Sequence, residues 1–280
     1  IIKIINKITM LINNSIIKFK KIFFYKKYEF FRRLRLIFNI DQKINLYKHS
    51  LILPPGHLLS MYNYLYLKYD QFISKLVTKI DKNKSVIDIG ANVGDTLFRL
   101  YHNNQTLRYY SIEADEYFFK YLKKNKKKLS NNLQSNITLI KELVGLDLSG
   151  NLTKTNTGTK TLIQGDIGLK SKTLDEIILE NNIDDISLIK VDVDGYDFNV
   201  LFSGMKSIIK YKPKLFFEYM SLNEKGYVSL IEKLFDIGYK NWTVLDNYGE
   251  IIFENESYSK IIDFIKSNSN NKIIIDIYCY

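Results

Sequence analysis

The segment VIDIGANVGD, from Val86 to Asp95, determines the fold that the sequence predicts. Its first four residues, Val86–Ile89, have the apolar character of a buried strand, and Thr96–Tyr101 places apolar residues at helical spacing. Between these two runs the chain turns at Gly90 and Gly94. Glycine lets the backbone approach a ligand closely, and the first turn of a helix presents free N–H groups. The segment therefore predicts a strand, a turn and a helix that together bind a ligand.

A carboxylate in the next strand indicates what kind of ligand this is. Glu113 ends a second apolar run, Tyr109–Ile112, nineteen residues after Gly94. At the tip of a neighbouring strand it can accept hydrogen bonds from both hydroxyls of a ribose. Asn92 stands where the dinucleotide fingerprint has its second glycine, which disfavours an NAD-dependent oxidoreductase. We therefore expect a nucleoside-binding domain that does not take a dinucleotide.

Apolar runs with strand and helix patterns alternate through the rest of the chain. The predicted strands cover residues 86–89, 109–112, 136–144, 186–191, 214–219, 242–245, 251–254 and 273–278. The predicted helices cover residues 66–80, 96–101, 115–128, 174–180, 198–209 and 225–237. The polar stretch 145–165 predicts a β-hairpin or loop. This alternation is typical of an α/β fold with a doubly wound, mostly parallel sheet and right-handed crossovers.

A second motif, LIKVDVDGYDFNVLFSGM, extends from Leu188 to Met205 and ends a buried strand. Lys190, Asp192 and Asp194 alternate within it, and ligands of such sheets bind beyond the carboxyl ends of the strands. Two neighbouring carboxylates beside a lysine can hold a proton or bind a divalent cation. In the structural alternative, one carboxylate caps the following helix and the other pairs with Lys190.

The motifs together resemble those of the FkbM-type family of S-adenosylmethionine-dependent O-methyltransferases. The matching pieces are DIGANVG (Asp88–Gly94), IEAD (Ile112–Asp115), TLDE (Thr173–Glu176), IKVDVDG (Ile189–Gly195), KPKLFFE (Lys212–Glu218) and Gly238-Tyr239. The resemblance extends from about Tyr69 to the C-terminus. The chain has Asp194 and Asp197 where the family usually has Glu, so these carboxylates have a shorter reach.

The resemblance implies a class I, Rossmann-like methyltransferase with a seven-stranded sheet and S-adenosylmethionine as its cofactor. It implies methyl transfer to a hydroxyl, on a sugar of a surface glycan or on a natural product, with no metal required. The expected cofactor-binding residues are Asp88, Gly90, Asn92, Gly94, Glu113 and Ala114. Among the expected catalytic residues, Asp192 is the base and Lys190 orients either Asp192 or the acceptor. Glu218 lines the acceptor pocket, and Asp194 lies with Asp192 at the mouth of the cofactor and substrate site.

Other assignments remain open at this point. A nucleic-acid methyltransferase would account for the net charge of +11, but the sequence has no N/D-P-P-Y/F motif and no cysteine placed to attack a base. A non-catalytic nucleoside-binding module remains an alternative if Asp192 or Lys190 faces away from the ligand. His57, beside the turn Pro54-Pro55-Gly56, is a second candidate for the base, although a plain turn residue is the expectation.

The first 40 residues carry most of the net positive charge. They hold ten Lys and Arg residues against Glu29, so the other 240 residues contribute only +2. Lysines interrupt every apolar run before it reaches the roughly 20 residues of a membrane span, and no secretory signal pattern is evident. We expect a basic helical extension and connector (residues 1–68) before a methyltransferase domain (residues 69–280). Residues 1–40 either contact an anionic membrane surface peripherally or pack their Ile and Phe face on the domain.

Cysteine usage bears on the compartment. Cys279 is the single cysteine, so an intrachain disulfide is excluded and a reducing compartment is indicated. We therefore expect a cytoplasmic protein, in peripheral contact with the membrane if the basic segment binds lipid.

Overall fold

The computed structural model describes residues 24–129, 136–154, 160–165, 168–268 and 271–280. Much of the predicted basic extension, residues 1–23, lies outside the described residues. Its remaining part is helical over residues 24–38. The helices are α1 (residues 24–38), α2 (Leu59–Leu65), α3 (Gln71–Leu76), α4 (Asp95–Asn103), α5 (Glu116–Lys126), α6 (Leu174–Glu180), α7 (Asp197–Ser203), α8 (Met205–Tyr211), α9 (Glu224–Asp236) and α10 (Tyr258–Ser267).

The strands form a large sheet, a hairpin near the N-terminus and a small sheet between α5 and α6. They are β1 (Gln42–Leu46), β2 (His49–Leu53), β3 (Ser85–Ile89), β4 (Arg108–Ile112), β5 (Ile137–Ile140), β6 (Ser149–Lys154), β7 (Lys160–Gln164), β8 (Leu169–Lys170), β9 (Ile186–Val191), β10 (Lys214–Met220), β11 (Trp242–Asp246), β12 (Ile251–Glu256) and β13 (Ile274–Cys279).

The large sheet has the strand order β12-β11-β13-β10-β9-β3-β4-β5. Strands β10, β9, β3, β4 and β5 are parallel, whereas β13, β11 and β12 pair antiparallel. The predicted α/β class and mostly parallel, doubly wound sheet are therefore confirmed. Among the described residues the sheet has eight strands, the number of predicted strands, and not the seven that the family resemblance implied, because the exposed edge strand β12 adds one more to it. Parallel strands bring their carboxyl ends to one edge, where ligands of such folds bind.

The sheet is apolar on both faces because helices cover both. All five residues of β3 are buried. Ile87 and Ile89 belong to one core cluster, while Val86 belongs to the other, together with Leu97 of α4. Burying each such aliphatic side chain stabilises the fold by roughly 1.5–3 kcal/mol. The segment that determines the fold therefore lies at the centre of its core.

The segment before β3, residues 66–80, differs from its prediction. The predicted helix over residues 66–80 begins only at Gln71, and a 3-10 turn, Val77–Lys79, completes it. Residues 66–70 instead lie against the turn between β11 and β12, because Gly249 there approaches the Lys68 carbonyl. A Cβ on Gly249 would lie 2.2 Å from that oxygen. Hairpin β1–β2 was not predicted, and the third predicted strand is shorter, since β5 covers only four residues.

The N-terminal hairpin shares the core of the sheet domain. Leu51 and Leu53 are fully buried in the same cluster as Leu97. The Asn125 side chain of α5 accepts from Ile52 N (2.8 Å) and donates to Ile52 O (2.9 Å), so it replaces a strand partner. The boundary expected between residues 68 and 69 stays a prediction. Within the described part of the chain, no helix is long and apolar enough to cross a membrane.

Candidate active site

A cavity of about 290 Å³ opens where the parallel strands end. Eight of the predicted site residues line it, namely Gly90, Asn92, Glu113, Ala114, Lys190, Asp192, Asp194 and Glu218. The structure therefore brings the two sequence motifs together in one cavity. Asp88 and Gly94 are not among the residues that line the cavity, and their contact with the cofactor stays a prediction.

Gly90 allows the loops after β3 and β9 to touch. Its φ is +78°, a left-handed conformation, and a Cβ at this position would lie 1.9 Å from the Asp192 carbonyl oxygen. The Asp192 N–H donates to Ile89 O (3.1 Å), which holds the two loops together. Gly94 has φ +92° at the start of α4, where a Cβ would lie 2.7 Å from Leu122 of α5. One glycine thus shapes the cavity, and the other brings two helices close together behind it.

Glu113 is buried at the tip of β4 and is anchored by the backbone. Its Oε2 accepts from Asn92 N (2.8 Å), and its Oε1 accepts from Asp115 N (2.7 Å). Burial raises the pKa of Glu113 to about 7, although these two hydrogen bonds oppose the shift. A carboxylate oxygen has two acceptor positions, so each keeps one for a ligand hydroxyl.

Lys190 lies between two carboxylates. Its Nζ is 3.2 Å from Asp88 Oδ1 and 3.2 Å from Asp192 Oδ2. Burial alone would lower the pKa of Lys190, but Asp192 and Asp88 outweigh burial and keep this pKa well above its ordinary value. Asp88 is buried and faces Lys190 across β3 and β9, whereas 52% of the Asp192 side chain is exposed. A charged lysine thus holds the accessible carboxylate at the cavity.

The structural alternative for the two aspartates holds only in part. Asp192 pairs with Lys190, as that alternative expected. Helix α7 begins at Asp197 without a side-chain cap, so Asp194 does not cap it. Asp194 instead has φ +53°, an uncommon conformation for a residue with a side chain, and lines the cavity.

Asp197 and Glu218 form the buried side of the same region. Asp197 is fully buried and accepts from Glu218 N (3.1 Å) and Val193 N (3.4 Å), so it ties the loop after β9 to β10. Burial raises the pKa of Asp197 to about 7. Burial, reinforced by Asp192 and Asp197, raises the pKa of Glu218 to about 10. Glu218 therefore carries a proton at neutral pH and can donate a hydrogen bond into the cavity.

Glu218→Gln tests this protonation state through thermal unfolding. In the folded protein Glu218 keeps its proton up to about pH 10, whereas the unfolded chain loses it near the ordinary value of 4.5. The contribution of this proton to the free energy of unfolding is complete below pH 4.5 and is lost as the pH rises towards 10. Gln has the same shape and no titratable proton. We expect the Tm of wild type to fall relative to that of Glu218→Gln as the pH rises from about 5 to about 9. A difference in Tm that stays constant over this range would contradict the assignment.

His57 of the connector also lines the cavity, which the sequence expectation of a plain turn residue missed. It is buried, its Nδ1 accepts from Leu59 N (3.2 Å), and its Nε2 lies 3.3 Å from Asn92 Oδ1. The first contact places the proton on Nε2, which donates to Asn92. Burial lowers the pKa of His57, so the neutral ring is favoured. His57 therefore fixes Asn92, whose N–H is bonded to Glu113.

Three further cavity residues have no sequence signal of their own. Tyr69 and Asp70 come from the segment between α2 and α3, and Asp276 comes from β13, where it faces Glu218 across an antiparallel pair. Burial raises the pKa of Asp70 to about 7, and burial together with Asp192 raises the pKa of Asp276 well above its ordinary value. A sequence pattern indicates which strand carries Asp276 but not which strand lies beside it.

Acidic side chains outnumber lysines on the lining of the cavity. They are Asp70, Asp95, Glu113, Asp115, Glu142, Asp192, Asp194, Glu218 and Asp276. Two lysines also line it, and both are paired: Lys160 Nζ lies 2.6 Å from Asp115 Oδ2, and Lys190 binds Asp192. No group of three or more His, Cys, Asp or Glu side chains in the described ranges is arranged to hold a metal ion. The cavity thus favours neutral or cationic ligands over polyanions.

Comparison with known proteins gives a clear family match. The sequence model of the methyltransferase FkbM domain matches residues 88–270, which is well over half of the chain. A comparison with curated protein sequences finds no match.

Several solved structures, two of them of methyltransferases, are also similar to the chain. Methyltransferase FkbM from Methylobacillus flagellatus KT is 17% identical, with a TM-score of 0.44 over 79% of this chain and 50% of that one. Precorrin-6y C5,15-methyltransferase from Geobacter metallireducens GS-15 is 11% identical (TM-score 0.41, 75% and 85% covered). TYW2 of M. jannaschii in complex with AdoMet is 12% identical (TM-score 0.42, 86% and 85% covered). The chain spans half the length of the M. flagellatus protein.

The family assignment rests on the sequence match. The matched range contains both motifs and the cavity residues from Gly90 to Glu218. The chain therefore belongs to the FkbM methyltransferase family.

Proposed function

We propose that the chain uses S-adenosylmethionine to methylate a hydroxyl group, on a sugar of a surface glycan or on a natural product. One observation carries this proposal: a single cavity is lined both by the Gly90 turn with Glu113 and by Asp192 with Lys190. The first pair is suited to a nucleoside, and the second is suited to removing a proton. Both are needed for methyl transfer to oxygen.

The residues of the cavity fit the cofactor. Glu113 keeps two acceptor positions for the ribose hydroxyls. Apolar side chains of Phe118, Leu152 and Leu162 line the same cavity and can cover the adenine ring. Asn92 has a side chain where a dinucleotide needs bare backbone, so a pyrophosphate fits poorly. When bound, S-adenosylmethionine supplies a methyl group already activated by its sulfonium.

The remaining task of the protein is to align the acceptor and take its proton. Asp192 Oδ2 accepts the hydroxyl proton, and Lys190 holds the carboxylate in position. Glu218, protonated at neutral pH, donates a hydrogen bond to a second oxygen of the acceptor. Carboxylates and tyrosines on the lining give several hydrogen bonds to a polyhydroxylated acceptor such as a sugar.

The alternatives are less well supported. A nucleic-acid acceptor carries phosphates, which the carboxylates of the cavity would repel. A purely binding role was the alternative in the case that Asp192 or Lys190 faced away from the ligand. Both residues line the cavity, which supports catalysis.

Cofactor identity is tested by titrating S-adenosylhomocysteine and NAD into the protein. We expect S-adenosylhomocysteine to bind and NAD not to bind. Glu113→Ala removes charge-assisted hydrogen bonds worth roughly 1.5–3 kcal/mol each, so affinity should fall at least about tenfold. Glu116→Ala, an exposed glutamate at the start of α5, is the matched control and should bind like wild type. Tight NAD binding with no response to S-adenosylhomocysteine would refute the proposal.

A further inference from the structure

We infer that helix α1 is a docking surface for an anionic lipid bilayer. The inference is independent of the proposed acceptor and starts from the exposed face of this helix. Four exposed apolar side chains lie on it: Phe30 (59% exposed), Phe31 (43%), Ile37 (73%) and Phe38 (65%). Large apolar side chains grouped on one exposed face mark an interaction site.

Basic residues share the helical stripes of these apolar residues. Side chains at i, i+4, i+7 and i+11 lie on one face of a helix. Two adjacent stripes follow this spacing, and in each a lysine comes first: Lys26, Phe30, Arg33 and Ile37, then Lys27, Phe31, Leu34 and Phe38. Lys26, Lys27 and Arg33 are exposed. The face therefore combines aromatic and aliphatic groups with positive charge, as in helices that lie in a bilayer interface.

The opposite face of α1 anchors the helix to the protein. Tyr28 is buried, packs with Leu58 and Met61, and donates from Oη to His57 O (2.6 Å). Leu36 covers Gly56 so closely that a Cβ there would lie 2.6 Å from Leu36 Cδ2. The helix is thus held with its basic apolar face outward.

Charge complementarity selects an anionic lipid surface as the occupant. Helix α1 has five basic residues against Glu29, and Arg32 already uses that carboxylate (Nε–Oε1 2.7 Å). Residues 1–23 add five lysines and no acidic residue. Each basic residue near an anionic bilayer contributes about 1 kcal/mol, or about fivefold in binding. Insertion of the exposed aromatic side chains into the bilayer interface would add to this electrostatic attraction.

Vesicle flotation of the full chain tests the inference. We expect the chain to bind vesicles in which about a quarter of the phosphatidylcholine is replaced by phosphatidylglycerol, and salt should weaken this binding. Binding to pure phosphatidylcholine vesicles should be weak. Lys26→Glu/Arg33→Glu should weaken binding at least about 25-fold. Phe30→Ser/Phe38→Ser should weaken it at least about tenfold. All variants should keep the Tm and the S-adenosylhomocysteine affinity of wild type, which separates this test from the proposed function.

Matched controls separate the face from general effects. Lys260→Glu/Lys266→Glu on α10 makes the same change in net charge, and Leu179→Ser on α6 removes an equally exposed apolar side chain (78%). The α10 variant should bind more strongly than the α1 charge variant, and Leu179→Ser should bind like wild type. The inference would be overturned if the α1 and α10 charge variants lost the same amount of vesicle binding. It would also be overturned if the α1 variants bound like wild type, or if wild type did not bind. So would sedimentation velocity that shows Phe30→Ser/Phe38→Ser separating a dimer into monomers.

Discussion

Asp192→Asn is expected to lower the rate of methyl transfer by about 10²–10⁴-fold while leaving S-adenosylhomocysteine affinity nearly unchanged. Asn keeps the shape of the side chain and removes the oxygen that accepts the acceptor proton. Asp192 is the accessible partner of Lys190, and the other partner, Asp88, is buried. The measurement is the rate of S-adenosylhomocysteine release with a sugar acceptor, alongside titration of the free enzyme.

The companion variant Asp194→Asn separates two roles of the neighbouring carboxylates. Asp194 lines the cavity, as Asp192 does. A similar loss that added Mg²⁺ partly offsets would indicate a metal site shared by the two residues. Full turnover of Asp192→Asn with weakened S-adenosylhomocysteine binding would place Asp192 in the cofactor shell. The base assignment would then be wrong, and Glu218 would be the next residue to test.

The sequence predicted those parts of the site that are encoded locally. Gly90 and Glu113 could be assigned because each lies at the end of an apolar run whose strand character is readable. The carboxyl ends of parallel strands share one edge, so Asp192 and Glu218 could also be placed there. Periodicity and turn chemistry are enough for such residues.

Contacts that depend on packing between distant segments were not predictable. His57 contacts Asn92 from 35 positions earlier in the chain, through a connector that has no repeating pattern. Asp276 faces Glu218 only because β13 inserts antiparallel between β10 and β11. The left-handed conformation of Asp70, after which the predicted helix begins late at Gln71, follows from the packing of residues 66–70 on the β11–β12 turn. In each case the deciding interaction lies outside the local sequence window.

Asp197 is a motif residue for which the sequence indicated a shorter reach than the family's Glu but no role. The structure shows a buried carboxylate that bonds the N–H groups of Val193 and Glu218. A short side chain suits this task, because it stays within the loop and does not enter the cavity. The difference from Glu at this position therefore concerns how the loop is held.

Gly90→Ala is expected to destabilise the fold by about 3 kcal/mol or more and to abolish tight S-adenosylhomocysteine binding. A side chain at φ +78° is strained by roughly 1–3 kcal/mol, and its Cβ would lie 1.9 Å from the Asp192 carbonyl oxygen. The Asp192 carbonyl oxygen belongs to the backbone and cannot rotate away as the end of a side chain could. The loops after β3 and β9 must therefore move apart. Thermal unfolding should show a fall in Tm of about 6 °C or more.

Gly165→Ala supplies the matched control, because Gly165 is exposed and a Cβ there meets nothing within 4 Å. We expect its free energy of unfolding to stay within about 0.5 kcal/mol of wild type. A Gly90→Ala protein that melts and binds S-adenosylhomocysteine like wild type would contradict the close approach of the two loops. A Gly90→Ala protein that is destabilised but keeps its S-adenosylhomocysteine affinity would confirm the role of Gly90 in packing. The same result would show that the Gly90 turn does not contribute to the cofactor site. The two readouts therefore test separately whether Gly90 is needed for packing and whether it is needed for the ligand.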